Sequence, residues 1–133
     1  MTKQSAYMIS DGIDISHLLS AFDQFHQAIQ IAKSDLEKAG TIQYFEFTFE
    51  LSWKTLKRIL AARGKIQNSP KNVFREAALE GLIDDPEIWF TFIENRNETT
   101  HIYERSIAEK IYQSLPLFDS EVSKLVSRLK KLK

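Results

Sequence analysis

The chain contains no cysteine, which removes disulfides, thiolate metal ligands and a thiol nucleophile together and fits a cytoplasmic protein. Net charge is missing too. Eighteen basic residues balance eighteen acidic ones over 133 positions, which argues against a protein whose main task is coating nucleic acid and leaves room only for a local basic pocket. No apolar run approaches the roughly twenty residues of a membrane span, and the opening Met1-Thr2-Lys3-Gln4-Ser5-Ala6-Tyr7 lacks a signal peptide's apolar region. A protein with no membrane association is expected. Only four glycines are present, none in a phosphate-loop or dinucleotide pattern. Three of them, Gly40, Gly64 and Gly81, stand where helices are expected to stop. No pair of strand carboxylates offers magnesium a nucleotide-polymerising site. His17 and His26, nine residues apart, point to opposite sides of a helix and cannot pair on a metal. Neither a cofactor nor a metal is expected.

Apolar residues at helical spacing fill most of what remains. The length suits a single domain over 1–133, with residues 1–13 a short arm free to fray. Ile15, Leu18, Phe22, Phe25, Ile29, Ala32 and Leu36 recur at intervals of three and four, the seam of an antiparallel bundle helix that Gly40 would cap. The next stretch, Phe45-Glu46-Phe47-Thr48-Phe49-Glu50-Leu51-Ser52-Trp53, alternates apolar and polar as a half-buried strand does. Nothing else in the chain offers it a pairing partner, and a lone strand leaves its backbone groups unpaired. The same residues as a helix place Phe45, Phe49, Trp53, Leu56 and Leu60 on one face and Phe47 with Leu51 on another. The second face predicts a homodimer. Glu50 and Lys54 are spaced for a weak surface pair, and Trp53 and Trp89 are expected to anchor the core.

Ser69-Pro70 opens a short helix that Gly81 ends, and Asp85-Pro86 opens another. The last helix follows Ile107, Ile111, Leu115, Phe118, Val122, Leu125, Leu129 and Leu132, with a kink or short break expected near Tyr112 because of Pro116. The cations Lys124, Arg128, Lys130, Lys131 and Lys133 complement that helix's C-terminal dipole. The predicted fold is all-α: an antiparallel up-and-down four-helix bundle with one extra short helix.

The stretch from Ile88 to Tyr103 carries the chemistry. Arg96 should lie at the rim of the face that Trp89 buries. In a continuous helix the five residues from Arg96 to His101 turn the side chain through roughly 140°, so convergence of the two needs a break. Asn95, Asn97 and the pair Thr99-Thr100 favour one. With Thr100 to Tyr103 extended, His101 and Tyr103 would project to one side, and guanidinium, imidazole and phenol would share a pocket.

Arg96-Asn97-x3-His101-x-Tyr103 resembles the R-x4-H-x-Y signature of the HEPN superfamily, small helical bundles often encoded beside minimal nucleotidyltransferases. Phe45 to Lys57, Ser69 to Ala77 and Gly81 to Trp89 resemble its nucleotidyltransferase substrate-binding branch, and the likeness runs from about Ile15 to Phe118. The resemblance implies two functions for one set of residues. In the first, the chain is a substrate-binding or regulatory partner subunit of a minimal nucleotidyltransferase and takes a nucleotide or RNA ligand. Arg96 then contacts phosphate, Asn97 and His101 orient it, Tyr103 stacks on a base or bonds a phosphate, and Lys54 and Lys57 face the site from the second helix. In the second, it is a metal-independent ribonuclease of the toxin–antitoxin kind. His101 is then the acid or base at a ribose 2′-hydroxyl, Arg96 stabilises the phosphorane, and Tyr103 is silenced by adenylylation from the partner enzyme. A structural bundle with no ligand is a third reading. Glu94, Glu98 and Glu104 disfavour a long RNA track and tilt the balance to the partner role.

Overall fold

The computed structural model describes residues 7–132. Five α-helices follow in order: α1 (Ser16–Ile31), α2 (Asp35–Ala62), α3 (Pro70–Leu79), α4 (Pro86–Glu98) and α5 (Arg105–Lys130). Among the described residues there is no strand, and the only β-type pairing is an isolated one between Met8 and Asp14. The fold is the expected all-α bundle, with α1, α2, α4 and α5 as its long members and α3 as the short one. The 28-residue α2 is its axis and packs against each of the others.

The strand-like stretch is helical because its polar positions have a use inside a helix. Thr48 and Ser52 are fully buried, yet their hydroxyls lie 2.8 Å from Tyr44 O and 2.7 Å from Thr48 O, one turn back. A hydroxyl that bonds its own helix's carbonyl can face a core without an unmet donor. Thr48 Oγ1 also lies 3.2 Å from Ala21 O on α1, so the small polar face lets the two helices approach closely. Phe45, Phe49, Leu56 and Leu60 are buried beside it, whereas Trp53 is only half-buried and Phe47 is 50% exposed. Trp89 is the tryptophan that anchors the core: it is fully buried and stacks on Phe74 at 4.9 Å. Its indole N–H meets no acceptor among the described residues, so packing holds the ring in place.

Three expectations need correction. The first helix ends at Ile31, and Gly40 lies inside α2. Ser34 and Glu37 form a reciprocal capping box there, Glu37 N donating to Ser34 Oγ at 3.1 Å and Ser34 N to Glu37 Oε1 at 2.9 Å. Two donors met at once outweigh a glycine that needs no special backbone angle. Leu36, assigned to the first seam, is consequently 84% exposed. The second correction concerns the arm. Residues 1–6 lie outside the described residues, but from Tyr7 onward the segment is docked: Ile9 is 3% exposed, Ser10 N donates to Leu132 O and Ile15 N to Tyr7 O. Third, α5 runs through Pro116 as one helix, so the short break expected as one alternative is not taken. Ile111, Leu115, Phe118 and Val122 are fully buried on either side of it, and their combined burial exceeds the roughly 3 kcal/mol that an internal proline costs.

Arg63 ties the end of α2 to two other segments. Its Nε and Nη2 donate to the Asp11 carboxylate at 2.8 and 3.1 Å, and its Nη1 to Glu80 Oε1 at 2.9 Å. Gly64 and Gly81 follow α2 and α3 at φ of 80° and 77°, left-handed positions where a Cβ would strain the turn. The hydrogen bonds from Arg63 hold the carboxyls of Asp11 and Glu80 below the usual carboxylate range. A depressed folded-state value means that the ion cluster stabilises the fold above the ordinary carboxylate pKa, and that this contribution is lost as pH falls through the folded value. Arg63→Ala should therefore melt roughly 5 °C lower at neutral pH. The gap from the parent chain should narrow below about pH 4, and thermal unfolding followed by circular dichroism across pH checks both statements.

Candidate functional site

Asp85 and Pro86 start α4 as their types dictate: the Asp85 carboxylate accepts from Glu87 N at 2.9 Å, and proline fills the first helical position. Trp89, Phe92 and Asn95 then point inward. Asn95, not Asn97, is the buried asparagine, its Nδ2 donating to Ser114 Oγ at 2.9 Å on α5. Asn97 is exposed. Arg96 reaches the rim as its spacing predicts and is about two-fifths exposed. It does not wait there for a ligand. Arg96 Nη2 donates to Glu50 Oε1 at 3.1 Å, while Lys54 Nζ lies 3.3 Å and Trp53 Nε1 3.2 Å from Glu50 Oε2. Lys57 Nζ sits over the Trp53 ring at 5.7 Å. One carboxylate on α2 thus gathers a guanidinium, an ammonium and an indole, which places Lys54 beside Arg96.

The helix gives way where expected but in another form. Thr99 to His101 make a single 3-10 turn, and Ile102 stays near helical angles at φ −70°, ψ −6°. The extended path is not taken. The buried Thr99 hydroxyl lies 2.7 Å from Glu46 Oε2 and 2.8 Å from Arg96 O, and donates to one at a time. That anchor tightens the end of α4, and Glu104 N donates to His101 O at 3.0 Å before α5 begins. His101 Nδ1 and Tyr103 Oη come within 3.1 Å of each other, both on the surface, with Tyr103 77% exposed. The turn therefore unites two of the three residues expected in one pocket. Arg96 hydrogen-bonds neither of them and belongs to the Glu50 cluster.

Glu50 carried no signal for this in the sequence, because it lies 46 residues from Arg96. Tyr103 also lines a cleft of about 560 Å³ between the start of α2 and the start of α5, with Lys38, Arg105 and Tyr112 around it. Sequence reasoning did not find these three. His17 and His26 are both exposed, and His26 Nδ1 lies 2.8 Å from Asp119 Oδ1. No group of three or more histidine or carboxylate side chains among the described residues is arranged to hold a metal ion. No helix among them is long and apolar enough to cross a membrane.

Residues 13–131 match the family described as nucleotidyltransferase substrate binding protein like. A Haemophilus influenzae protein named "Probable ribonuclease HepT" is 32% identical over an alignment of 141 positions, which covers 92% of this chain and 96% of that protein. Two solved structures are similar throughout. One, from Haemophilus influenzae, is described as revealing the fold of a substrate binding domain of a nucleotidyltransferase; it superposes with a TM-score of 0.79 at 31% identity, over 87% of this chain and 98% of its own. The other is a Thermus thermophilus protein, at a TM-score of 0.78 and 28% identity, over 84% and 98%.

Proposed function

Because the chain belongs to the nucleotidyltransferase substrate binding protein-like family, we propose that it serves as the partner subunit of a separate minimal nucleotidyltransferase and presents the His101–Tyr103 pair to it. The observation that carries this reading is the exposed phenol held 3.1 Å from an imidazole nitrogen. In the tautomer protonated on Nε2, Nδ1 accepts from the phenol and can take its proton. Tyr103 Oη then attacks the α-phosphorus of a nucleoside triphosphate bound by the partner. A new P–O bond forms, the bond to the β-phosphate bridging oxygen breaks, and diphosphate leaves. The partner supplies the metal and the triphosphate site, and this chain supplies the acceptor. The chain pairs with a second copy through the outward face of α2 that bears Phe47 and Leu51, an arrangement that sedimentation at micromolar concentration tests.

The test of the main reading is direct. The chain is incubated with a candidate minimal nucleotidyltransferase, magnesium and ATP, and its intact mass is measured. The expected result is a gain of adenylyl groups that peptide mapping assigns to Tyr103 and that Tyr103→Phe does not take up. Equal modification of the Tyr103→Phe chain, or none in the parent, sinks it.

A specific observation favours a second reading. The relative named a probable ribonuclease aligns along 92% of the chain. Here the protein is a metal-independent ribonuclease of a toxin–antitoxin pair, His101 moves the proton of a ribose 2′-hydroxyl, and Arg96 meets the phosphorane across the junction of two protomers. Modification of Tyr103 then adds negative charge beside His101 and repels RNA.

A further inference from the structure

The Arg96 cluster is a poor seat for a nucleotide, since its cations already share the Glu50 carboxylate, and it lines neither the cleft beside Tyr103 nor the cavity at Phe22 and Ser123. The cleft beside Tyr103 differs in each respect. Its volume of about 560 Å³ falls within the range typical of small-ligand sites. Its floor is apolar, formed by Ile42 and Ile102 with small alanines between them, and one wall is the half-buried ring of Tyr112. Lys38 Nζ lies 5.1 Å from the centre of that ring, on its face. At the mouth stands Arg105, whose side chain is 85% exposed.

Each of these features selects against a simpler occupant. A purely apolar ligand would leave the cations at the rim unused, and a bare anion would leave the aromatic wall and apolar floor unused. A flat heteroaromatic ring with an anionic tail uses both, as stacking on an aromatic face is tolerant of base identity and a guanidinium forks onto phosphate. The geometry points to this cleft as the seat of a nucleoside 5′-monophosphate, with the base taking the place over Tyr112 that the Lys38 ammonium now holds and the phosphate drawing Lys38 and Arg105 beside Tyr103.

The resident carboxylates do not close the site. Arg105 gives Asp35 a single bond from Nη2 at 2.8 Å, which leaves the other N–H groups of its fork available. Lys38 Nζ is 3.9 Å from Glu109 Oε1. The Arg105–Asp35 pair is solvent-exposed and the Lys38–Glu109 pair partly so, both are therefore weak, and a phosphate dianion competes with them at modest salt. The nucleotide has two possible sources: free in solution, or carried on Tyr103 Oη as a phosphodiester whose nucleoside folds back into the cleft. The second source rests on the reading of Tyr103 as an acceptor; the first does not.

The experiment is an amide NMR titration of the full chain with adenosine monophosphate, run beside ribose 5-phosphate and inorganic phosphate. The expected result is saturable shifts at Ile42, Ile102 and Tyr112 with a dissociation constant of about 0.1–1 mM, and much weaker binding of the two controls. Ala108→Phe, which fills the cleft, should weaken adenosine monophosphate at least about tenfold. Arg105→Gln, on an exposed side chain that folding does not need, should weaken it several-fold and flatten its salt dependence. Tyr103→Phe should still bind the free nucleotide, and the same resonances should move when Tyr103 is adenylylated. Shifts confined to the Glu50–Arg96 cluster, equal binding of phosphate alone, or an Arg105→Gln chain that binds as the parent does would overturn the proposal. An adenylylated Tyr103 with unmoved cleft resonances overturns the seat while the acceptor reading stands. Free nucleotide bound in the cleft of a chain that never accepts an adenylyl group supports the seat while the acceptor reading fails.

Discussion

Replacing Phe118 with alanine lowers the unfolding free energy by about 3–5 kcal/mol, measured as the shift of the urea midpoint at unchanged slope. The size follows from where the ring sits. Phe118 is fully buried on α5, and its ring centroid lies 5.3 Å from Phe25 on α1, 4.7 Å from Phe45 on α2, and 6.1 and 5.0 Å from Trp89 and Phe92 on α4. All four pairs meet edge to face, the arrangement that aromatic quadrupoles favour. Removing the ring empties a space walled by four other aromatic rings, none of which can move into it without leaving its own partners. A domain of this size has a net stability of about 5–15 kcal/mol, so the loss takes a large share of it. Leu117, the neighbouring residue, is 47% exposed, and Leu117→Ala should stay within about 1 kcal/mol of the parent. Equal losses at the two positions would show that the aromatic cluster is not the centre of the core. The consequence reaches the site as well, because Phe118 sets the spacing of α4 and α5, and the turn that joins His101 to Tyr103 hangs between them.

What could be read from the sequence and what could not divide along a physical line. Interactions within one or two helical turns are legible: the Asp85-Pro86 start, the Ser69-Pro70 start, the glycines after α2 and α3, and the apolar seam of α5 all stand where their residue types require. The boundary between α1 and α2 has a local signal too, but a stronger pattern masks it. Ser34-Asp35-Leu36-Glu37 has the spacing of a capping box, while the apolar periodicity running past it makes Gly40 look like the stop. Helical spacing continues across the break only by coincidence, and Leu36 stands in solvent as a result.

The partners of Arg96 and Thr99 lie beyond such reading. Glu50 and Glu46 sit 46 and 53 residues away from them on α2, and no local pattern says which of the carboxylates on that helix will meet α4. Pairing of Arg96 with Glu50 is a tertiary event. The His101–Tyr103 contact is predicted for the wrong backbone: the extended path is not taken, and the two side chains meet where the chain reverses after the 3-10 turn and before α5. The cleft at Tyr103 is invisible in the sequence, since Lys38 and Tyr112 come from helices that meet only in the fold.

The second large effect belongs to the ribonuclease reading. Purified chain with its unmodified mass should cleave RNA in chelator, and Arg96→Ala, His101→Ala together should lower the rate by about 10²–10⁴-fold, the usual share of a positioned acid or base. The two single variants divide the roles. His101→Ala loses the proton transfer and should fall nearly as far as the pair, because residues that act in one step are not additive. Arg96→Lys keeps the charge and loses the fork, so it should retain RNA binding and its salt dependence while the rate drops about tenfold. Glu50 adds a constraint that only the fold supplies. Arg96 must exchange the Glu50 carboxylate for a phosphate oxygen, so Glu50→Gln, which weakens that hold, should raise RNA affinity a few-fold. Cleavage that persists in the double variant points to another nuclease in the preparation. No cleavage by an unmodified parent removes the ribonuclease reading and leaves the partner-subunit reading in front.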